Sequence, residues 1–516
     1  MASSSMTTPD SRSLSELEKG DLAKDMDEET TRPSTPSQQV EKGSPKDATP
    51  QSTVNFDDWN GPDDPDNPHN WSAWSTFYHA LGPALLGFAG TFGTSVYSPA
   101  VADVMRDFDV SRTAALVCLT VYTLGLGVGP IATAPLSEGH GRKIIYTVST
   151  PIFLLFILGA GLSKSYHSLV ICRFLAGVSA SPPLAVGAGS NADLFPPRKR
   201  AVATSMFLAA PFLGPALGPI IGGFVAQYKS WRWTQWCMIF VTLAAYIIAL
   251  PMKETYKPVI LAKRAKKAGI TPPAAPASAN VKSAIALKVV RPVHMLFREP
   301  AVFFFSIYNS FAFGVLFIFF AAFPYIFSRP PYSFTLSQVG LTFISIGVGV
   351  ALGAATCILV DRTMYQKQHH KALARGETYT PPEHRLYSAM IGSAGIVVGL
   401  FWFGWGADKG GHWSWVLVGA IPFAWGNICL FTSTALYLVD VYGPLNGASA
   451  MAANGLSRYT ISAVFPLFTV QMYEALGIGW ATSLLAFLAT LLLPIPWIFF
   501  KYGPKIRAKS KYPPMK

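Results

Sequence analysis

Only 13% of the 516 residues are charged and 51% are hydrophobic, with a mean hydropathy of +0.33. Soluble chains carry about 25% charged residues, so the composition excludes an ordinary water-soluble domain and points to lipid as the main solvent. The net charge of +13 does not indicate a nucleic-acid partner. Residues 1–75 hold 15 acids against 6 bases, and the other bases lie in short runs between apolar segments, as the positive-inside rule requires of a membrane protein.

In chain order, residues 1–75 are rich in Ser, Thr, Pro, Asp, Glu and Lys. They have too little apolar surface to offset the entropy of ordering, so an acidic disordered tail is expected. Its end, Trp59 to Ser72, sets two tryptophans around a Pro/Asp/Asn turn cluster and reads as a short interfacial element. The first apolar stretch begins near Phe77, so no cleavable signal peptide is expected.

Twelve apolar spans of roughly 20 residues follow, each long enough to cross a bilayer. They lie near 77–99, 114–134, 144–162, 168–191, 203–225 and 233–251, then 301–326, 338–360, 386–406, 413–437, 447–472 and 477–500. The fold expected is therefore an all-α polytopic membrane protein of two six-helix halves, 76–251 and 301–500. A basic linker (252–300) joins the halves and a basic tail (501–516) closes the chain. With the amino terminus inside, 26 Lys/Arg lie on the inner side and 7 on the outer, so both termini are expected in the cytosol. The five cysteines sit inside apolar spans without ligand spacing and read as small hydrophobes. No metal site and no catalytic cluster is expected.

Four features carry chemistry. The turn after span two contains Glu138, Gly141, Arg142 and Lys143, a glycine-dependent turn with bases at headgroup level and an acid positioned to pair with one of them. Span four carries Arg173, an intramembrane cation of the kind that is functional by default, with snorkelling to the outer interface as the alternative. Asp193 ends the same span. In span five Gly214, Gly218 and Gly222 recur every four residues beside Pro215 and Pro219, ending in Gly223. This row permits very close backbone approach while the prolines remove helix hydrogen bonds. Span eleven carries a second intramembrane arginine, Arg458, one turn from Asn454.

The turn resembles the signature loop of the major facilitator superfamily in Glu138, Gly141, Arg142 and Lys143, while Ala134 and Gly139 depart from it. Asp361-Arg362 resembles its degenerate second copy. The span-five string is similar to the Gly-x-x-x-Gly-Pro-x-x-Gly-Gly element of drug:proton antiporters, and 291–300, 382–386 and 448–468 resemble fungal twelve-span members. That resemblance implies a proton-driven exporter of amphipathic compounds, with Arg173 in proton coupling, no cofactor beyond the proton gradient, and a monomer in the plasma membrane.

Among the spans no Asp or Glu lies near the middle, which argues against a polyamine chamber. Tyr308, Asn309, Phe313, Trp425 and Asn427 offer an aromatic and amide lining for weakly polar compounds. The competing readings are a proton-coupled polyamine or nutrient carrier and, from another class, a polytopic membrane enzyme.

Overall fold

The structure is a computed structural model in which residues 58–269, 281–376 and 380–512 are described. Residues 1–57 of the expected tail and 270–280 of the expected linker lie outside them. Among the described residues, ten helices are long and apolar enough to cross a membrane. The helix at Ala73–Ser95 and the limb after Gly443 complete a set of twelve spans at the expected positions.

The first half contains α1 (Ala73–Ser95), the short α2 (Val101–Phe108), α3 (Arg112–His140) and α4 (Arg142–Gly161). It continues through α5 (Tyr166–Ala180), α6 (Pro182–Leu194), α7 (Pro197–Tyr228) and α8 (Arg232–Ala249). Serine side chains at positions 72, 111 and 165 cap α1, α3 and α5, each satisfying an N–H that the first turn leaves free. α5 and α6 form one span, broken at Ser181 because Pro182 and Pro183 bring no N–H to the helix ladder.

Two helices, α9 (Lys257–Lys267) and α10 (Val281–Arg298), occupy the connection. The second half contains α11 (Pro300–Phe327), α12 (Leu336–Thr342), α13 (Ile344–Val360), α14 (Gln366–Ala374), α15 (Tyr387–Asp408), α16 (Trp413–Leu476), α17 (Ile478–Leu492) and α18 (Ile495–Arg507). Spans ten and eleven were expected as helices separated by a loop. They are instead two limbs of α16 that meet at Gly443, whose φ of +63° breaks the helix and is a conformation glycine adopts without a steric penalty.

The ends of the bundle differ. One, here the terminal face, carries the 58–72 segment, the two connection helices and the end of α18. The other, the far face, carries α2 and the α11–α12 turn. Large apolar side chains such as Leu155, Phe240, Leu359 and Leu491 stay exposed on the outside of the bundle, as a lipid boundary requires.

Packing within the first half depends on span five. A Cβ on Gly214 would lie 2.7 Å from Phe92 N of α1 and one on Gly218 2.8 Å from the N of Val96, which caps α1. The Ser95 hydroxyl donates to Gly214 O across this contact (3.1 Å). Lipid supplies no hydrophobic drive for helix association, so close van der Waals approach of this kind holds such helices together.

Two boundaries move. The tail was expected to run to residue 75 with a short interfacial element at 59–72; that element is folded against the connection, where the Asp64 carboxylate receives two 2.9 Å bonds from Arg264 of α9. The C-terminal tail was placed from 501, but α18 runs to Arg507, which binds Glu383 at 2.9 and 3.1 Å. Both segments carry charges whose partners lie far away in sequence, which local composition does not reveal.

Candidate functional site

Between the halves lies a cavity of about 890 Å³ that opens at the terminal face, within the size range of small-molecule sites. Thr91, Pro130, Leu184, Pro211 and Phe212 line it from the first half; Phe313, Phe431, Met451, Arg458 and Tyr459 line it from the second. Glu138, Arg142, Asp193 and Asp440 line its mouth.

Helix contacts between the halves close the far face. Gly223 of α7 meets α12, where an added Cβ would lie 2.6 Å from Leu336 O. Gln227 Oε1 accepts from Ser337 N (2.8 Å), the Thr120 hydroxyl donates to Ala463 O (2.7 Å), and the Ser98 hydroxyl donates to Phe320 O (3.3 Å). The glycine pair ending the span-five motif thus serves two partners. Gly222 packs on Val96 of its own half, and Gly223 packs on the opposite half.

At the mouth the signature turn is held from outside its own sequence. Gly141 takes φ +97°, and the Glu254 carboxylate accepts from Arg142 N (2.8 Å) and Lys143 N (3.0 Å). An acid at a helix N-terminus satisfies free N–H groups and matches the helix dipole. The Arg142 guanidinium reaches Asp193 (3.3 Å) and Ser137 Oγ (2.8 Å) and lies over the Tyr256 ring. Burial pushes the Tyr256 phenol up from its ordinary value, so it stays neutral beside the arginine.

The second half repeats this arrangement with a residue that sequence reasoning missed. Arg385, at the start of span nine, binds Asp440 (2.8 Å) at the end of span ten and Asp361 (3.1 Å) at the end of span eight. Asp361-Arg362 was expected to be the degenerate second copy of the gating turn. Asp361 is buried in this pair, whereas Arg362 points outward and is exposed. The available signal was positional, since Arg385 opens span nine as Arg142 opens span three, and Asp440 ends span ten as Asp193 ends span four. Glu254 had no such signal.

The two intramembrane arginines have different surroundings. Arg173 is fully buried inside the first half and does not line the cavity. It donates to Gly93 O (2.9 Å) and Cys118 O (3.4 Å) and lies over the rings of Tyr97 and Tyr122. Those contacts tie α1, α3 and α5 together, and no carboxylate is among them. Arg458 lies on the cavity wall with Asn454 one turn away.

Of the five residues expected to line the chamber, Phe313 does so. The others are placed within the second half. Tyr308 and Asn309 are buried in α11. Trp425 donates to Thr356 Oγ1 (2.9 Å), and the Asn427 amide donates to Ala312 O (3.0 Å). α11 is buried on nearly every side, so its uniform hydrophobicity gave no indication of which face meets the cavity.

Two six-helix halves around a one-sided central chamber define a membrane transporter of small molecules. The Major Facilitator Superfamily model matches residues 84–466, more than half of the chain, and the chain belongs to that superfamily as a multi-pass secondary transporter. It is 39% identical over 514 residues to Polyamine transporter 4 of Saccharomyces cerevisiae, covering 94% of this chain and 76% of that one. It is 37% identical over 490 residues to the Efflux pump FUBT of Fusarium oxysporum (92% and 80% covered). Against the MFS-type transporter traF of Penicillium crustosum the identity is 36% over 459 residues (88% and 93%). Among solved structures, the proton:xylose symporter XylE matches with a TM-score of 0.61 at 17% identity, covering 83% of this chain and 97% of that one. That likeness concerns the fold alone.

Proposed function

We propose that this transporter exports small amphipathic compounds, such as drugs, toxins or secondary metabolites, in exchange for protons. It works as a monomer in the plasma membrane with both termini in the cytosol. The observation that carries this reading is the one-sided chamber. It is open at the face bearing the basic loops and closed at the other by contacts at Gly223, Gln227 and Thr120. Rocking the halves about this contact closes the mouth and opens the far face, which is alternating access.

The mouth carboxylates have the chemistry for coupling. Asp193 is held by Arg142 and Asp440 by Arg385. Protonating either carboxylate weakens its pair and loosens the mouth, so proton binding and movement of the halves are linked. Arg173 is assigned here to holding the first half together, and Asp193 to the proton. The resemblance of span five to antiporters and the names of the relatives support the outward direction.

A polyamine carrier is the second reading, favoured by one relative's name and by Glu138, Asp193 and Asp440 at the mouth. Asp193 and Asp440 are already paired with arginines, which lowers the negative charge offered to a polycation.

The test is efflux of a panel of labelled hydrophobic compounds from cells lacking their own pumps, with and without a protonophore. Export that collapses with the protonophore is expected. Proton-dependent uptake, or transport of spermidine alone, would overturn the reading.

A further inference from the structure

Arg458 sits midway along the second limb of α16, well above the ion pairs of the mouth, and is 8% exposed. It lines the cavity yet makes no ion pair among the described residues. Of the acids at the cavity mouth, Asp193 of the first half is engaged by Arg142 and Asp440 of the second by Arg385. Its Nε has no hydrogen-bond partner. The guanidinium carbon lies 4.4 Å from the ring centroids of Phe313 and Phe431 and 4.5 Å from that of Tyr459.

A buried cation in this state needs compensation. Ring faces supply part of it through their quadrupoles and the Tyr459 side chain takes one hydrogen bond, but no carboxylate among the described residues neutralises the charge. Arg173 in the same protein shows the alternative, with backbone carbonyls taking its N–H groups. Arg458 lacks that arrangement and instead faces an open chamber. Asn454, fully buried one turn earlier on the same helix face, gives its amide hydrogen to Ser306 Oγ (3.4 Å) and leaves Oδ1 unpartnered.

We infer that the chamber takes organic anions, specifically apolar or aromatic monocarboxylic acids in their ionised form. The carboxylate binds the Arg458 N–H groups, the hydrocarbon part lies against Phe212, Phe313 and Phe431, and Asn454 Oδ1 receives any hydroxyl or N–H next to the acid group. The planar fork of the guanidinium matches a carboxylate and binds it with charge-assisted hydrogen bonds. The unpaired positive charge disfavours amines in the same place. This rests on the cavity being the substrate chamber of the proposed exporter and names the substrate class.

The experiment uses the full chain in lipid nanodiscs. Equilibrium binding is measured near neutral pH for 4-butylbenzoate, decanoate and indole-3-butyrate, each beside its primary amide, and for spermidine. Each carboxylate is expected to bind about tenfold or more tightly than its amide, the change that one charge-assisted hydrogen bond produces. Arg458→Gln removes that preference while amide affinity stays within about twofold, and Arg458→Lys keeps part of it. Retained amide binding also shows that the glutamine variant is folded. Equal affinities within the pairs, a preference that survives Arg458→Gln, or binding of spermidine but of no carboxylate overturns the inference. Direction is read separately: carboxylate preference with uptake in cells defeats the export reading alone. Proton-dependent export confined to neutral compounds defeats the anion assignment alone.

Discussion

Single side chains divide here into those that hold the bundle and those that face the chamber. Arg173 satisfies carbonyls of α1 and α3 from inside α5, so Arg173→Ala leaves two buried acceptors and a void. Its thermal midpoint in detergent should fall by several degrees, at a cost of about 2–5 kcal/mol. Arg385 is itself buried and holds the buried Asp361 together with the half-buried Asp440. Removing one partner of such a cluster costs about 3–5 kcal/mol, so Arg385→Ala should lower the midpoint clearly. Arg362→Ala, a substitution in an exposed side chain, should leave it within a degree. Comparing these two variants by melting separates the second-half cluster from the adjacent basic residue that sequence pattern favoured.

Within elements, the span-five helix performs two jobs along one row of glycines. Gly218→Leu forces α7 away from α1 and should reduce both folded yield and export. Gly223→Leu leaves the first half intact but places a side chain against Leu336 and Gly340, so closure of the far face is what fails. On a cysteine-free background, a cysteine at the buried far-face position Thr120 should become more reactive toward a membrane-impermeant maleimide in Gly223→Leu and not in Gly218→Leu. At the other end of the first half, α4 begins on a glycine turn capped by Glu254. Glu254→Gln weakens a charged cap worth about 0.5–2 kcal/mol, and limited proteolysis around residue 141 should speed up accordingly.

For the whole molecule, the folded 58–72 segment fastens the chain before span one to the connection between the halves. Arg264 beside Asp64 holds that carboxyl well below the usual carboxylate range. A depressed carboxylate contributes its stabilisation above its unfolded value, about 3.9, and loses it only as pH falls through the lower folded value. Between pH 5 and 8 the contact is therefore constant. Hydrogen exchange of residues 60–72 should be flat across that window once corrected for intrinsic rates, and uniformly faster in Asp64→Asn. A pH effect on transport in that window therefore does not come from this contact, and at the mouth Asp193→Asn should abolish the dependence of efflux on the proton gradient.

Span number and position were legible because a bilayer demands about 20 apolar residues per crossing, and that length is written directly in the chain. The span-five row was legible for a related reason: a helix repeats on the same face every four residues, so glycine spacing specifies a close contact before the partner is known. Gly141, Arg142 and Lys143 were likewise readable as a turn, since only a few residue types suit it. The tertiary structure alone decided which partner each of these residues meets. Glu254 reaches the signature turn from 112 residues away, and Arg385 gathers acids from the ends of two different spans. Arg173 and Arg458, alike in sequence as lone cations in apolar helices, separate into a packing residue and a cavity residue. Hydrophobicity records that a segment prefers lipid or core to water, but it has no component that points toward a chamber. That direction is set by how twelve helices pack, and packing depends on contacts far apart in the chain.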